Sequence, residues 1–132
     1  MNPTLETLNP YRPCLILAHA DCAYATAAAR VFRREGWDVY NARSGPEARR
    51  LARMLRPSLV VLGTDLPEES GWLICDKLTR ESPTARVILV AVEPDRPSEQ
   101  FARFVGAAAL VDRNAGPTAL LHEAEQAVLA VA

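Results

Sequence analysis

The stretch PSLVVLGTDLPEESG, residues 57–71, decides how the rest of the chain is read. Leu59 to Leu62 form an unbroken apolar run between Pro57 and Gly63. Such a run is the mark of a strand buried on both faces, and those strands belong to parallel sheets covered by helices. The residue delivered at its end, Gly63, has no side chain. The nearest acid, Asp65, stands two positions further on. Strand positions i and i+2 share a face but lie ~6–7 Å apart. A reactive group at this strand end is therefore either missing or displaced.

Working outward, the same kind of run recurs in CLILA (14–18), RVILVAV (86–92) and AALV (108–111), while WDVYNA (37–42) alternates like a half-buried or edge strand. Helical segments lie between them. DCAYATAAARVFRREG (21–36) opens on a capping Asp21 and closes on Gly36. SGPEARRLARMLRP (44–57) carries Ser44 and Glu47 at capping-box spacing. GWLICDKLTRE (71–81), SEQFARFVG (98–106) and GPTALLHEAEQAVLAVA (116–132) complete the set. Five strand–helix units without a repeat predict one α/β domain over residues 14–132 with a doubly wound, five-stranded parallel sheet. Residues 1–13, with three prolines, read as a poorly ordered lead.

The 132 residues suit one domain, and 49% hydrophobic content is enough for a full core. No apolar run approaches the ~20 residues of a membrane span. The N-terminus lacks a basic-then-apolar signal pattern, so a cytoplasmic protein is expected. Cys14, Cys22 and Cys75 form no CxxC pair and read as reduced, buried and inert thiols. The net charge of −1 gives no global field for nucleic acid or anionic lipid. Its distribution is uneven. Residues 1–56 carry nine Arg and five acids (+4), and residues 57–132 carry six basic and eleven acidic residues (−5). Arg30, Arg33, Arg34, Arg49, Arg50, Arg53 and Arg56 fall on the first two helices, expected to be neighbours. They read as a solvated face or as a surface for an acidic partner, with nucleic acid disfavoured. No DNA-reading helix-turn-helix follows the last helix before Ala132.

An open sheet of this kind places its site at the carboxyl ends of the strands. Those positions hold His19, Ala20 and Asp21; Gly63, Thr64 and Asp65; Ala91 and Val92; and Asp112, Arg113 and Asn114. There is no GxGxxG after the first strand, no GxxxxGK[ST] and no serine elbow. No catalytic residue is therefore assigned, and an enzyme is not expected. His19, Asp21 and Asp65 are the one conceivable metal set, but neither a metal nor another cofactor is expected.

The spacing of REGWDV, PSLVVLGTDLPEESGW and VGAAALVDRN, in register with the flanking strands, resembles a response-regulator receiver domain from about residue 14 to 131. That family is the phosphoacceptor module of two-component signalling, with a flavodoxin-like (βα)5 fold. Pro67 and Gly71 match its characteristic loop residues. The resemblance implies a pocket in which this chain departs from the pattern. His19 and Ala20 stand where two acids are usual, and Gly63 stands at the phosphoacceptor. Ala91 replaces the switch hydroxyl, Leu110 the switch aromatic, and Arg113 with Asn114 the Lys-Pro pair.

Aspartyl phosphorylation needs a carboxylate nucleophile and a divalent cation on hard oxygen ligands. Gly63 and Ala20 remove two carboxylates together. The expectation is a degenerate receiver that acts as a phosphorylation-independent protein-interaction module in bacterial signalling. Two alternatives stand beside it: a phosphorelay receiver using Asp65 as displaced acceptor with help from Asp21, and a small-ligand or nucleic-acid binder at the altered edge or arginine face. The expected working surface is the fourth helix, fifth strand and fifth helix, with Phe101, Arg103, Phe104, Leu110 and His122. A signalling protein, an effector or a second copy of the chain would dock there. Helical spacing equally allows Phe101 and Phe104 to be core. Ala109 stands where many dimerising receivers carry an acid.

Overall fold

The computed structural model describes residues 12–129. The apolar runs become strands β1 (Cys14–Ala18), β3 (Leu59–Gly63) and β4 (Val87–Ala91), with β2 (Asp38–Ala42) and β5 (Ala109–Asp112) outside them. All neighbours pair in parallel, in the order β2-β1-β3-β4-β5. Every residue of β3 is buried, as its unbroken apolar sequence requires, whereas edge strand β2 exposes Tyr40 and Asn41.

The helices start where short polar side chains take up free N–H groups. Asp21 accepts from the Tyr24 N–H at α1 (Cys22–Arg34), and Ser44 from the Glu47 N–H at α2 (Gly45–Leu55). Ser70 caps α3 (Gly71–Glu81) through the Leu73 N–H. Asp95 caps α4 (Arg96–Phe104) through Ser98, so this helix begins two residues earlier than its sequence pattern suggested. A single 3-10 turn, Arg113–Ala115, leads into α5 (Pro117–Leu129), which has proline at its first position.

Two cores lie on opposite sides of the sheet. One packs α1 and α5, through Ala28, Phe32, Leu120 and Ala124, against Leu15, Leu17, Val61 and Ile88. Phe32 and the buried Trp37 meet edge to face at 5.1 Å between centroids. The other packs Ala48, Ile74, Leu78 and Ala102 from α2, α3 and α4 against Ile16, Val60, Leu62 and Leu89. This division corrects the arginine-face expectation. The α1 and α2 arginines sit on opposite layers and form no common surface.

Three further readings are corrected. Arg12 pairs with Asp38 at 2.7 Å, and the Asp38 N–H donates to the Pro13 carbonyl at 2.9 Å, so the end of the expected lead is tied to β2. Residues 1–11 lie outside the described residues. Cys75 is buried and its thiol is pushed up to about 12 by burial, but Cys22 is exposed at the start of α1. Phe101 and Phe104 are not core: they are 46% and 77% exposed.

Candidate functional site

The strand order reverses between β1 and β3, so the crevice beyond their carboxyl ends is bounded by His19 after β1 and Gly63 at the end of β3. Register places Ala18 beside Leu62, Gly63 beside Val90, and Ala91 beside Asp112. The sequence candidates His19, Gly63, Ala91 and Arg113 therefore belong to one edge. The direction in which a side chain at Gly63 would project is occupied. A Cβ there would stand 2.9 Å from His19 Cδ2, closer than carbon atoms normally approach, and at a tight 3.2 Å from Cγ. The imidazole fills the space that the glycine leaves. The following loop is equally tight: a Cβ on Gly71 would lie 2.1 Å from the Gly63 carbonyl oxygen, and the Gly71 N–H donates to Thr64 at 3.1 Å.

His19 is held in this place by its neighbours. Its Nδ1 accepts the Asp21 N–H at 3.0 Å, which fixes an unprotonated Nδ1. Its ring lies 4.8 Å from that of the buried Tyr24, tilted at 46°. Burial holds the imidazole below its ordinary value of 6.5; Asp21 opposes that effect and Arg113 adds to it. Asp21 is lowered, first by the Tyr24 N–H and then by Arg113. The Arg113 guanidinium pairs with Asp21. Asp65 is exposed beyond the strand end, and Ala20 is exposed as well.

Tyr24 was missed, and Asp112 was placed at this edge without a role. Tyr24 lies five residues after His19 in the first turn of α1, where an apolar position reads simply as core. Asp112 ends β5, and its Oδ1 accepts the Glu93 N–H at 3.1 Å and the Asn114 N–H at 3.0 Å. One carboxylate thus ties the β4–α4 connection to the end of β5. Glu93 sits there at φ 46°, a left-handed conformation that favours glycine. The signal available in the sequence was an acid closing an apolar strand beside Asn114.

The arrangement does not suit a divalent cation. Hard cations need several free carboxylate or carbonyl oxygens. Gly63 and Ala20 supply no carboxylate, and Asp21 is already paired with Arg113 and capping α1. Among the described residues no three of His, Cys, Asp or Glu come together as a ligand set, so His19, Asp21 and Asp65 do not form one. No helix among the described residues is long and apolar enough to cross a membrane.

The residues of the expected surface lie as follows. Phe101 and Phe104 lie nearly parallel at 6.0 Å, and Trp72 of α3 meets Phe101 at 5.2 Å, forming an aromatic row. Arg103 and His122 are exposed, and Leu110 is half-buried against the α3–α4 core. A groove of about 440 Å³ follows β5 and α5, lined by Leu110, Asp112, Thr118 and His122 among others.

A five-stranded parallel sheet in this order, covered by five helices with its crevice at the β1/β3 switch, defines a flavodoxin-like domain of the CheY type. The response regulator receiver domain profile matches residues 16–125, and the chain belongs to this family, the receiver module of two-component signalling. It is similar to the transcriptional regulatory protein AfsQ1 of Streptomyces coelicolor, at 34% identity over 83 residues, which is 63% of this chain and 37% of that protein. It is also similar to the DNA-binding dual master transcriptional regulator RpaA of Synechocystis, at 29% identity, covering 57% of this chain and 31% of that one. The chain thus spans about a third of the length of these relatives. Among solved structures, a LuxR-family two-component response regulator from Aurantimonas superposes with TM-score 0.83 at 22% identity, over 90% of this chain and 86% of that one. Chemotaxis protein CheY4 of Vibrio cholerae superposes with TM-score 0.81 at 16% identity, over 88% and 98% of the respective chains.

Proposed function

We propose that this receiver domain takes no phosphoryl group and works as a standing protein-interaction module, without enzymatic activity. The observation that carries the reading is the His19 ring packed where a side chain on Gly63 would begin. A nucleophile at that position would need a carboxylate that Gly63 lacks and a displacement of the His19 ring. The Asp21–Arg113 pair satisfies the neighbouring charges against each other. Ala91 has no hydroxyl and Leu110 no ring to carry a phosphoryl signal to the outer face. Asp112 instead holds the β4–α4 connection in one arrangement, so a partner meets a single surface. The exposed aromatic row and the groove along β5 support a partner at α4, β5 and α5: a signalling protein, an effector or a second copy of the chain.

Intact mass after incubation with acetyl phosphate and Mg²⁺ tests the reading. The mass is expected to stay unchanged. A gain of one phosphoryl group that disappears in Asp65→Asn overturns it in favour of the displaced acceptor. Partner binding is expected to be indifferent to phosphoryl donors and to weaken in an Arg103→Glu, His122→Glu variant that keeps its fold.

A further inference from the structure

At the opposite end of the sheet the chain is open. Between the C-terminal turns of α2 and α3, beneath the starts of β3 and β4, lies a cavity of about 680 Å³. That volume lies within the range of small-molecule sites, roughly 300–1,000 Å³. Arg53, Arg56 and Arg86 line it, with Ser82 and Thr84 beside them and Glu81 as its one acid. Glu81 also reaches outside the lining to Arg49, so the one acid is shared by Arg49 and Arg53 while Arg56 and Arg86 line the cavity beside it. Glu81 engages Arg49 and Arg53. Among the described residues, neither Arg56 nor Arg86 forms an ion pair. Arg86 is half-buried at the cavity wall. Arg56 is held at φ 47° and ψ 63°, a position at the end of α2 where glycine is the unstrained choice.

We infer that this cavity is a binding site for a small organic phosphate of nucleotide size. Guanidinium forks match phosphate oxygens two at a time, and hydroxyls complete such contacts. The volume exceeds what a lone phosphate needs, and Ala52, Pro57 and Ala85 give the remainder apolar walls suited to an organic body. The site is independent of the reading of the carboxyl edge, which lies at the other end of every strand.

Isothermal titration calorimetry with adenosine diphosphate and with inorganic pyrophosphate tests the inference. Adenosine diphosphate is expected to bind at least fivefold more tightly than pyrophosphate, with affinity falling as salt is raised. The Arg56→Ser, Arg86→Ser variant is expected to lose at least tenfold. Thr84→Glu, an exposed change that leaves every arginine in place, is expected to lose affinity in the same direction. No heat with either compound at millimolar concentration overturns the proposal. Equal affinity for both compounds removes the organic body from it and overturns it in this form. Binding that survives both variants shows that the site lies elsewhere.

Discussion

At the carboxyl end of the sheet an imidazole stands where a β3 side chain would project, and the nearby carboxylate and guanidinium are spent on each other. At the amino end, Arg53, Arg56 and Arg86 line an open cavity whose one acid, Glu81, is already paired with Arg49 and Arg53. The two ends share the same strands and differ in how their polar groups are satisfied. Where small and large residues fill one another's space and charges cancel, the edge is fixed and has little left to offer a ligand. Where like charges outnumber their partners, the surface is left with unspent binding capacity. In the proposed reading, the end that the fold usually dedicates to chemistry is the closed one.

The sharpest way to break this contrast is to restore a side chain to β3. Gly63→Asp drives a Cβ into the His19 ring and adds a carboxylate at a buried strand position. Overpacking and an unpaired buried charge together are expected to cost about 2–4 kcal/mol, read as a lower urea midpoint at unchanged slope. His19→Ala in the same chain is expected to return part of that loss, so the double variant is more stable than the sum of the two single effects. A Gly63→Asp chain as stable as the parent shows that the edge is not filled.

His19→Ala alone sharpens the same end. Losing the ring from Gly63 and Tyr24 is expected to cost about 1–2 kcal/mol at neutral pH. It also changes the acid limb. The folded value of His19 lies below its unfolded 6.5, so the unfolded chain binds more protons as pH falls below 6.5. Stability is complete above that pH and declines below it towards the folded value. His19→Ala is expected to flatten that limb. Asp21 acts in a separate window: its folded value is below 3.8, so its contribution is present above that pH and is lost as pH falls further. Thermal unfolding at half-unit pH steps separates the two. An unchanged limb below pH 6.5 denies His19 its packed, neutral role.

Asp112→Ala is a smaller test of the same edge. The exposed carboxylate holds two backbone N–H groups, and its loss is expected to cost about 1 kcal/mol. The more telling readout is amide exchange, which should quicken at Glu93 and Asn114 and stay unchanged in β3. Protection retained at Glu93 means that the connection is held by something else.

How much of this was legible in the sequence depends on range. Strands with a continuous apolar run, and helices with Asp21, Ser44 and Gly36 at their ends, declared themselves because the cause lies within a few residues. That β3 ends on a residue without a side chain, Gly63, was legible for the same reason. What fills the gap was not, because His19 meets Gly63 only through strand pairing 44 positions away in the chain. The pairing of Arg113 with Asp21 depends on where α1 begins relative to β5. The division of the arginines between two layers follows from strand order, which local periodicity does not encode. Phe101 and Phe104 had core-like spacing, yet Ala102 and Val105 took the inward positions of that turn.

The least costly change probes the amino end. Glu81 is partly exposed, as are Arg49 and Arg53, and exposed ion pairs contribute about 0–1 kcal/mol. Glu81→Gln is therefore expected to lower stability by less than ~1 kcal/mol. Its sign with salt is more informative. In the parent, the local attraction between Glu81 and its arginines weakens as salt screens it. In the variant, Arg49, Arg53, Arg56 and Arg86 face one another without an acid, and screening relieves their repulsion. Charges this exposed feel that change strongly by 0.1 M, where the screening length is ~10 Å. The difference in unfolding midpoint between variant and parent is expected to shrink steadily from low to high sodium chloride. Parallel salt profiles for the two chains would show that the arginines are too far apart to act as a cluster, and the contrast between the two ends of the sheet would rest on the His19–Gly63 packing alone.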